Sequence, residues 1–153
     1  MTSFLYGPGA HAMLVGAQAT NPIAFLTDVM QVGLSSSTHV PNKDDTFLDD
    51  AGADDFLDGE LSGTGYSRFT LSSGKTITYD AANDRVEIDA VDAAWTAIDA
   101  GTAAQATVFS QTGGADTARR MICNVDTGGF PIVTNGGDLS LQWHVDGVIQ
   151  LTV

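Results

Sequence analysis

Leu139-Ser140-Leu141-Gln142-Trp143-His144-Val145-Asp146-Gly147-Val148-Ile149-Gln150-Leu151-Thr152-Val153 is the stretch whose reading decides the fold class. Leu139, Leu141, Trp143 and Val145 alternate with Ser140, Gln142 and His144, the period of a strand with one apolar face. Asp146-Gly147 separates this run from a second, in which Ile149, Leu151 and Val153 alternate with Gln150 and Thr152. Both central residues of a type I′ turn need positive φ, so Asp-Gly between two alternating runs predicts a hairpin. Leu139 to Val145 and Val148 to Val153 are therefore expected to pair with each other and tie down the C-terminal strand.

Working outward, the same period recurs in short runs. Ala104 to Gln111, Arg119 to Val125, Val91 to Ile98, Tyr66 to Leu71 and Phe25 to Leu34 all read as strands. In Val91 to Ile98, the residues Val91, Ala93, Trp95 and Ala97 share a face, with Trp95 as a core anchor. Turns rich in Gly, Asp, Asn and Pro separate the runs. Ala10 to Ala19 is the exception: Met13, Leu14 and Ala17 stand at helical spacing, and Pro8 suits a first helical turn. The pattern predicts a mainly β protein, an antiparallel β-sandwich, Ig-like or jelly-roll-like, with one short N-terminal helix. Residues 1–9 read as an N-terminal arm and residues 10–153 as a single sandwich domain.

A chain of 153 residues can bury roughly 70% of its unfolded surface without metal or disulfide. Its single cysteine, Cys123, excludes an internal disulfide and reads as a small buried hydrophobe in Met121-Ile122-Cys123. Six Lys and Arg stand against nineteen Asp and Glu, a net charge of −13. Such a chain repels nucleic acid and anionic membrane and suits a basic docking surface. No basic region followed by an apolar run marks a leader, and no apolar stretch reaches spanning length. A soluble protein made in a cytoplasm is expected.

The residues offer no catalytic constellation. His11, His39 and His144 fall on a helix start, a loop and a polar strand face, and no serine stands in a G-x-S-x-G setting. Asp44 to Asp58 is dense in aspartate but fails the calcium-loop template, because Gly52 is misplaced and no Glu closes the loop. It reads as a solvated acidic loop in which Phe47 and Leu48 anchor a short helical turn. Gln111 to Asp116 reads as a mobile polar loop, and Arg119-Arg120 as a basic pair bridged to nearby carboxylates. No catalytic residue, cofactor or metal is expected. Phe4, Leu5 and Tyr6 are the candidate interface residues.

The order of motifs resembles a family of small tailed-bacteriophage virion structural proteins of decoration or accessory type. The resemblance rests on the helical segment Leu5 to Ala17, the strand Asp28 to Leu34, and Thr46-Phe47-Leu48-Asp49-Asp50. Gly63-Thr64-Gly65-Tyr66, Gly74-Lys75-Thr76 and Ala94-Trp95-Thr96-Ala97 follow in order. Thr107 to Asp116 and Gly129-Phe130-Pro131-Ile132-Val133-Thr134-Asn135-Gly136-Gly137-Asp138 complete it, ahead of the closing Leu-Ser-Leu-Gln-Trp strand. What it implies is a non-enzymatic place in a virion, after synthesis in the host cytoplasm. One expectation is a capsid decoration or cement protein on the outer surface of the head, a homotrimer whose apolar arm packs against the major capsid protein or another virion protein, or against a neighbouring copy. The other is a tail, neck, collar or fibre component facing a receptor glycan.

Overall fold

The computed structural model describes residues 4–15, 22–50, 54–112 and 114–152. It is a mainly β, antiparallel sandwich-like fold with a short N-terminal helix, as the sequence predicts. One layer is a five-stranded sheet. Its members are β1 (Phe4–Leu5), β2 (Met30–Ser35), β3 (Phe69–Leu71), β8 (Gln105–Ser110) and β9 (Met121–Val125), in the spatial order β1-β9-β8-β2-β3. The other layer consists of smaller ribbons. The first of these joins β4 (Thr76–Asp80), β5 (Arg85–Asp89) and β12 (Ile149–Thr152) in the order β12-β5-β4. A second pairs β6 (Ala93–Ile98) with β11 (Gly137–Leu141), and a third pairs β7 (Thr102–Ala103) with β10 (Ile132–Val133). Met30, Val32, Leu34, Ala106 and Val108 of the large sheet meet Ile88, Trp95, Ile98, Leu141 and Ile149 of the ribbons in one core. Trp95 is buried as expected, and its indole N–H donates to the Ser67 carbonyl at 2.7 Å.

The closing hairpin is not formed. Asp146-Gly147 does turn the chain, with Gly147 at φ +96 and its N–H on the His144 carbonyl. The flanking strands then part, β11 to β6 and β12 to β5. The divergence has a local cause. The Trp143 backbone N–H donates to the Asp92 carboxylate and its indole N–H to the Val91 carbonyl, both at 2.9 Å. Trp143 is thereby captured by the connection between β5 and β6, so each arm of the turn meets a different strand. Val145, expected on the apolar face, is 90% exposed.

Two other alternations break for equally local reasons. Ala97 has φ +49 and faces outward, at the irregularity where β6 slips against β11. Phe25 is buried, but in a turn closed by the Asp28 carboxylate on the Ala24 N–H, so the strand begins at Met30.

The far face of the large sheet is covered as well, and every residue of β8 is buried. Tyr6, Leu48, Phe56, Phe109 and Met121 form a second core there. Leu48 and Phe56 come from the acidic stretch, so it is a lid on the sheet rather than a solvated loop. Its helical turn is α2 (Phe56–Gly59), capped by the Asp55 carboxylate, and not Phe47-Leu48. Gly33 makes the fit possible. A Cβ built there would lie 2.4 Å from the Phe56 ring, which fixes glycine mid-strand by close approach.

The N-terminal helix α1 (Gly7–Val15) carries Pro8 in its first turn. It docks through Gly9 and Ala12, because a Cβ at Gly9 would lie 2.1 Å from the Met121 carbonyl oxygen. That contact turns the helix so that Leu14, expected on the buried stripe, is 78% exposed. Ala17 lies outside the described residues.

Gly33→Ala is expected to destabilise the protein by about 1–3 kcal/mol through overpacking. Phe56→Leu, made alongside it, should recover part of that loss. Urea unfolding of the two single variants and the double variant gives the coupling, and strict additivity would show that the two residues do not press on each other.

Candidate functional site

Phe4, Leu5 and Tyr6 do not form a free arm. Phe4 and Leu5 pair antiparallel with Asn124 and Cys123 as the edge of the large sheet. Tyr6 is fully buried in the second core, its N–H on the Ile122 carbonyl at 2.9 Å. Residues 4–9 thus belong to the fold, and no boundary falls at residue 9. The alternation at a strand edge puts Phe4 over the second core and Leu5 toward the first.

Leu5 also lines an apolar concavity, a groove of about 600 Å³. Its walls are α1 with the turn at residues 23–27, and the ribbon β12-β5-β4. Met13, Leu14, Leu26, Ile77 and Leu151 project into it, and the described lining is apolar except for Thr27. Leu14, Leu26 and Ile77 are large side chains standing exposed along one surface. Together they make a contiguous apolar patch beside the groove. Sequence reading finds the amphipathic helix, but nothing in the sequence says that it faces a ribbon across a groove.

The remaining candidate groups are engaged in the fold. Asp50 accepts the N–H groups of Thr46 and Phe47 at 2.7 and 2.9 Å, Asp45 accepts that of Asn42, and Asp58 that of Asp54. Carboxylates spent as caps in this way shape the lid. Arg68 holds Glu60 at 2.7 Å and Asp116 at 2.6 Å, and Arg119 also reaches Asp116 at 2.9 Å. The Arg68 hydrogen bonds keep the Asp116 carboxyl below the usual carboxylate range. Asp116, expected in a mobile loop, is therefore pinned, and Arg119 has the carboxylate expected for it. The Arg120 guanidinium lies over the Phe47 ring at 5.0 Å. Burial pushes the Cys123 thiol up to about 12, so it is a packed hydrophobe at neutral pH.

The three histidines stay apart. His11 and His144 are exposed, whereas His39 is fully buried under the lid. Its Nδ1 lies 3.1 Å from the Asp54 carbonyl, which can only accept, so Nδ1 carries the proton and Nε2 is the basic nitrogen. Nε2 is buried, and among the described residues it has no hydrogen-bond partner. Among the described residues no group of three His, Cys, Asp or Glu converges on a common point.

A second concavity, of about 530 Å³, is lined by Trp143 with Gln142, His144 and Gln150. Trp143 is half-buried there, its indole N–H spent on Val91.

Comparison of the chain with protein-family models, with curated proteins and with solved structures finds no match. The class of protein that the geometry defines is a β-sandwich-like domain bearing an apolar groove.

Two measurements check these placements. Tyr6→Ala should cost about 3–5 kcal/mol, as for other large buried aromatics, and deletion of residues 1–9 should lower the melting temperature sharply. A truncated chain that melts like the full one would show that the segment does not hold the fold. The second concerns pH. Burial lowers the His39 pKa below its ordinary value of 6.5. The unfolded chain therefore binds a proton as pH falls through about 6.5 while the folded chain does not, and stability falls over that range. Asp45 and Asp55, which burial pushes up, act in the opposite sense at lower pH, where the folded chain takes up protons first. Between pH 7.5 and 5.5, His39→Asn should flatten the fall by up to about 1.4 kcal/mol per pH unit, because its amide can replace Nδ1 but does not titrate. Parallel melting curves for the two proteins would remove His39 as the cause.

Proposed function

We propose that this protein is a non-enzymatic structural component of a tailed-phage virion. Its most specific form is a decoration or cement protein on the outer surface of the head, trimeric and bound to the major capsid protein. The observation that carries the reading is the apolar groove between α1 and the β12-β5-β4 ribbon. A rigid domain covered on both faces of its main sheet, yet leaving Leu14, Leu26 and Ile77 exposed, is built to be completed by a partner. The motif order that resembles phage virion proteins supports the assembly in question. The net charge of −13 supports a basic protein surface as partner and disfavours DNA and anionic membrane. Docking through the groove replaces docking through an arm.

A second reading places the protein on the tail, neck or fibre, facing a receptor glycan. It is favoured by the concavity at Trp143, where a partly open ring stands beside the amides of Gln142 and Gln150. Rings and amides are the groups that pack on and hydrogen-bond to a sugar.

The test is location and copy number in purified particles, by quantitative gel staining and particle reconstruction. Hundreds of copies on the head are expected. About a dozen at one vertex or on the tail would transfer the role to the second reading, and absence from particles would overturn both. Leu14→Glu with Leu26→Glu should leave the stability within about 1 kcal/mol of the parent, since both side chains are exposed, while abolishing incorporation. Full incorporation of that variant would show that the groove is not the contact.

A further inference from the structure

The strand β4 ends the three-stranded ribbon, and among the described residues it pairs with β5 alone. Thr76, Ile77, Thr78 and Tyr79 are all exposed, and among the described residues no strand pairs with the outer edge. Natural edges are blunted by proline, bulges, inward charges or extreme shortness. This one has none of these: its register runs unbroken from Thr76 opposite Asp89 to Asp80 opposite Arg85, and its residues are strong strand formers. The nearest lysine, Lys75, is turned away, its Nζ on the Asp28 carbonyl at 2.5 Å.

The ladder identifies the free groups. Ile88, the register partner of Ile77, gives its carbonyl to the Val148 N–H on the β12 side of β5. In an antiparallel ladder a residue's N–H and C=O point the same way, and the direction alternates along the strand. The outward N–H and C=O groups of β4 therefore belong to Ile77 and Tyr79.

The two faces beside that edge differ in chemistry. Ile77 and Tyr79 stand over Ile88 and Val86, the apolar face that floors the groove. On the opposite face Thr76, Thr78 and Asp80 neighbour Asp89, Glu87 and Arg85. There Arg85 is ringed by Asp80, Glu87 and Asp146 at 3.4, 2.8 and 2.9 Å, one cation among an excess of carboxylates.

We propose that the outer edge of β4 is a strand-acceptor site for an extended segment of a partner protein in which apolar residues alternate with Lys or Arg. The segment adds as a fourth strand, hydrogen-bonded to Ile77 and Tyr79. Its apolar side chains continue the groove floor, and its basic side chains lie on the carboxylate face. A second copy of this chain is the poorer occupant, since it would bring its own Asp80, Glu87 and Asp89 alongside. The proposal rests on reading the protein as an assembly component, but it names the mode of attachment.

The experiment uses the full chain, with backbone amide exchange followed by NMR. The probe is a nine-residue peptide alternating Val and Lys, and the controls are a Val-Glu analogue and a block isomer with the same composition as the probe. The alternating peptide is expected to slow exchange at Ile77 and Tyr79 at least tenfold, with neither control doing so. Tyr79→Pro removes one outward N–H without touching the β5 ladder and should abolish the protection. Ile77→Lys, a milder change at an exposed side chain, should weaken it. No protection, equal protection by the block isomer, or protection that rises with protein concentration alone would overturn the proposal, the last by showing self-pairing. Incorporation into particles by a Tyr79→Pro variant would sink this edge as the contact while leaving the virion reading intact.

Discussion

The constraint on which the rest of the structure depends is the burial of β8 on both faces. A strand in the middle of an antiparallel sheet can leave one face to water, but here both sides of Gln105–Ser110 are closed. The ribbons close one side, and Tyr6 with the lid residues Leu48 and Phe56 closes the other. Polar side chains on a strand so placed are tied into the interior. The Gln105 amide donates to the His39 carbonyl at 2.9 Å, and the Thr107 hydroxyl to Asn124 at 3.3 Å. The first of these bonds ties the loop before the lid to the centre of the sheet. A lid with little apolar content thus acquires a fixed seat, and an otherwise solvent-seeking run of aspartates becomes part of the interior architecture.

The same constraint explains how the ion pairs are arranged. Arg68 carries Glu60 from beyond the lid and Asp116 from the connection between β8 and β9. Its guanidinium also lies 5.3 Å from the Phe109 ring and 5.8 Å from the Phe56 ring. It therefore joins the lid, the sheet and a surface loop at one point. Exposed ion pairs are worth little singly, but a half-buried guanidinium with two carboxylates and two rings orders several segments at once. Within the lid, Asp50 and Asp55 are occupied as caps on its own backbone.

The sequence showed the fold class clearly, the pairing poorly and the apolar groove not at all. Alternation reports which face of a strand is apolar, and it did so for β2 and β12. It does not report the neighbour. Asp146-Gly147 is a turn, as its chemistry demands, yet the pairing on either side of it was decided by Asp92 and Val91 capturing Trp143. The lid was hidden because a period of two describes a strand against one core and is silent about a second. Its traces were present in the sequence: Gly33 inside a strand, and Phe56-Leu57 set among carboxylates. Both become legible once one asks what approaches a strand glycine closely. The groove had no trace, since it is made by a helix, a turn and a ribbon far apart along the chain and brought together by the seating of Gly9 on β9.

An open groove beside an open strand edge is a hazard for any protein present at high local concentration, because two copies can join edge to edge. The charge of this chain acts against that outcome. Two copies approaching through β4 bring together surfaces rich in carboxylate, and each carries −13 overall. At an ionic strength near 0.15 M the repulsion is felt over about 8 Å, less than two strand spacings of about 4.8 Å and too short to hinder a docked complex elsewhere. The field therefore filters what reaches the edge rather than keeping everything away: like-charged copies are repelled at the last step, and a basic strand is drawn in. Blunting the edge with lysine or proline would have prevented aggregation too, but would also have closed the edge to any partner. An acidic surface leaves the backbone groups of Ile77 and Tyr79 available while restricting who may use them, which is the combination an assembly component requires.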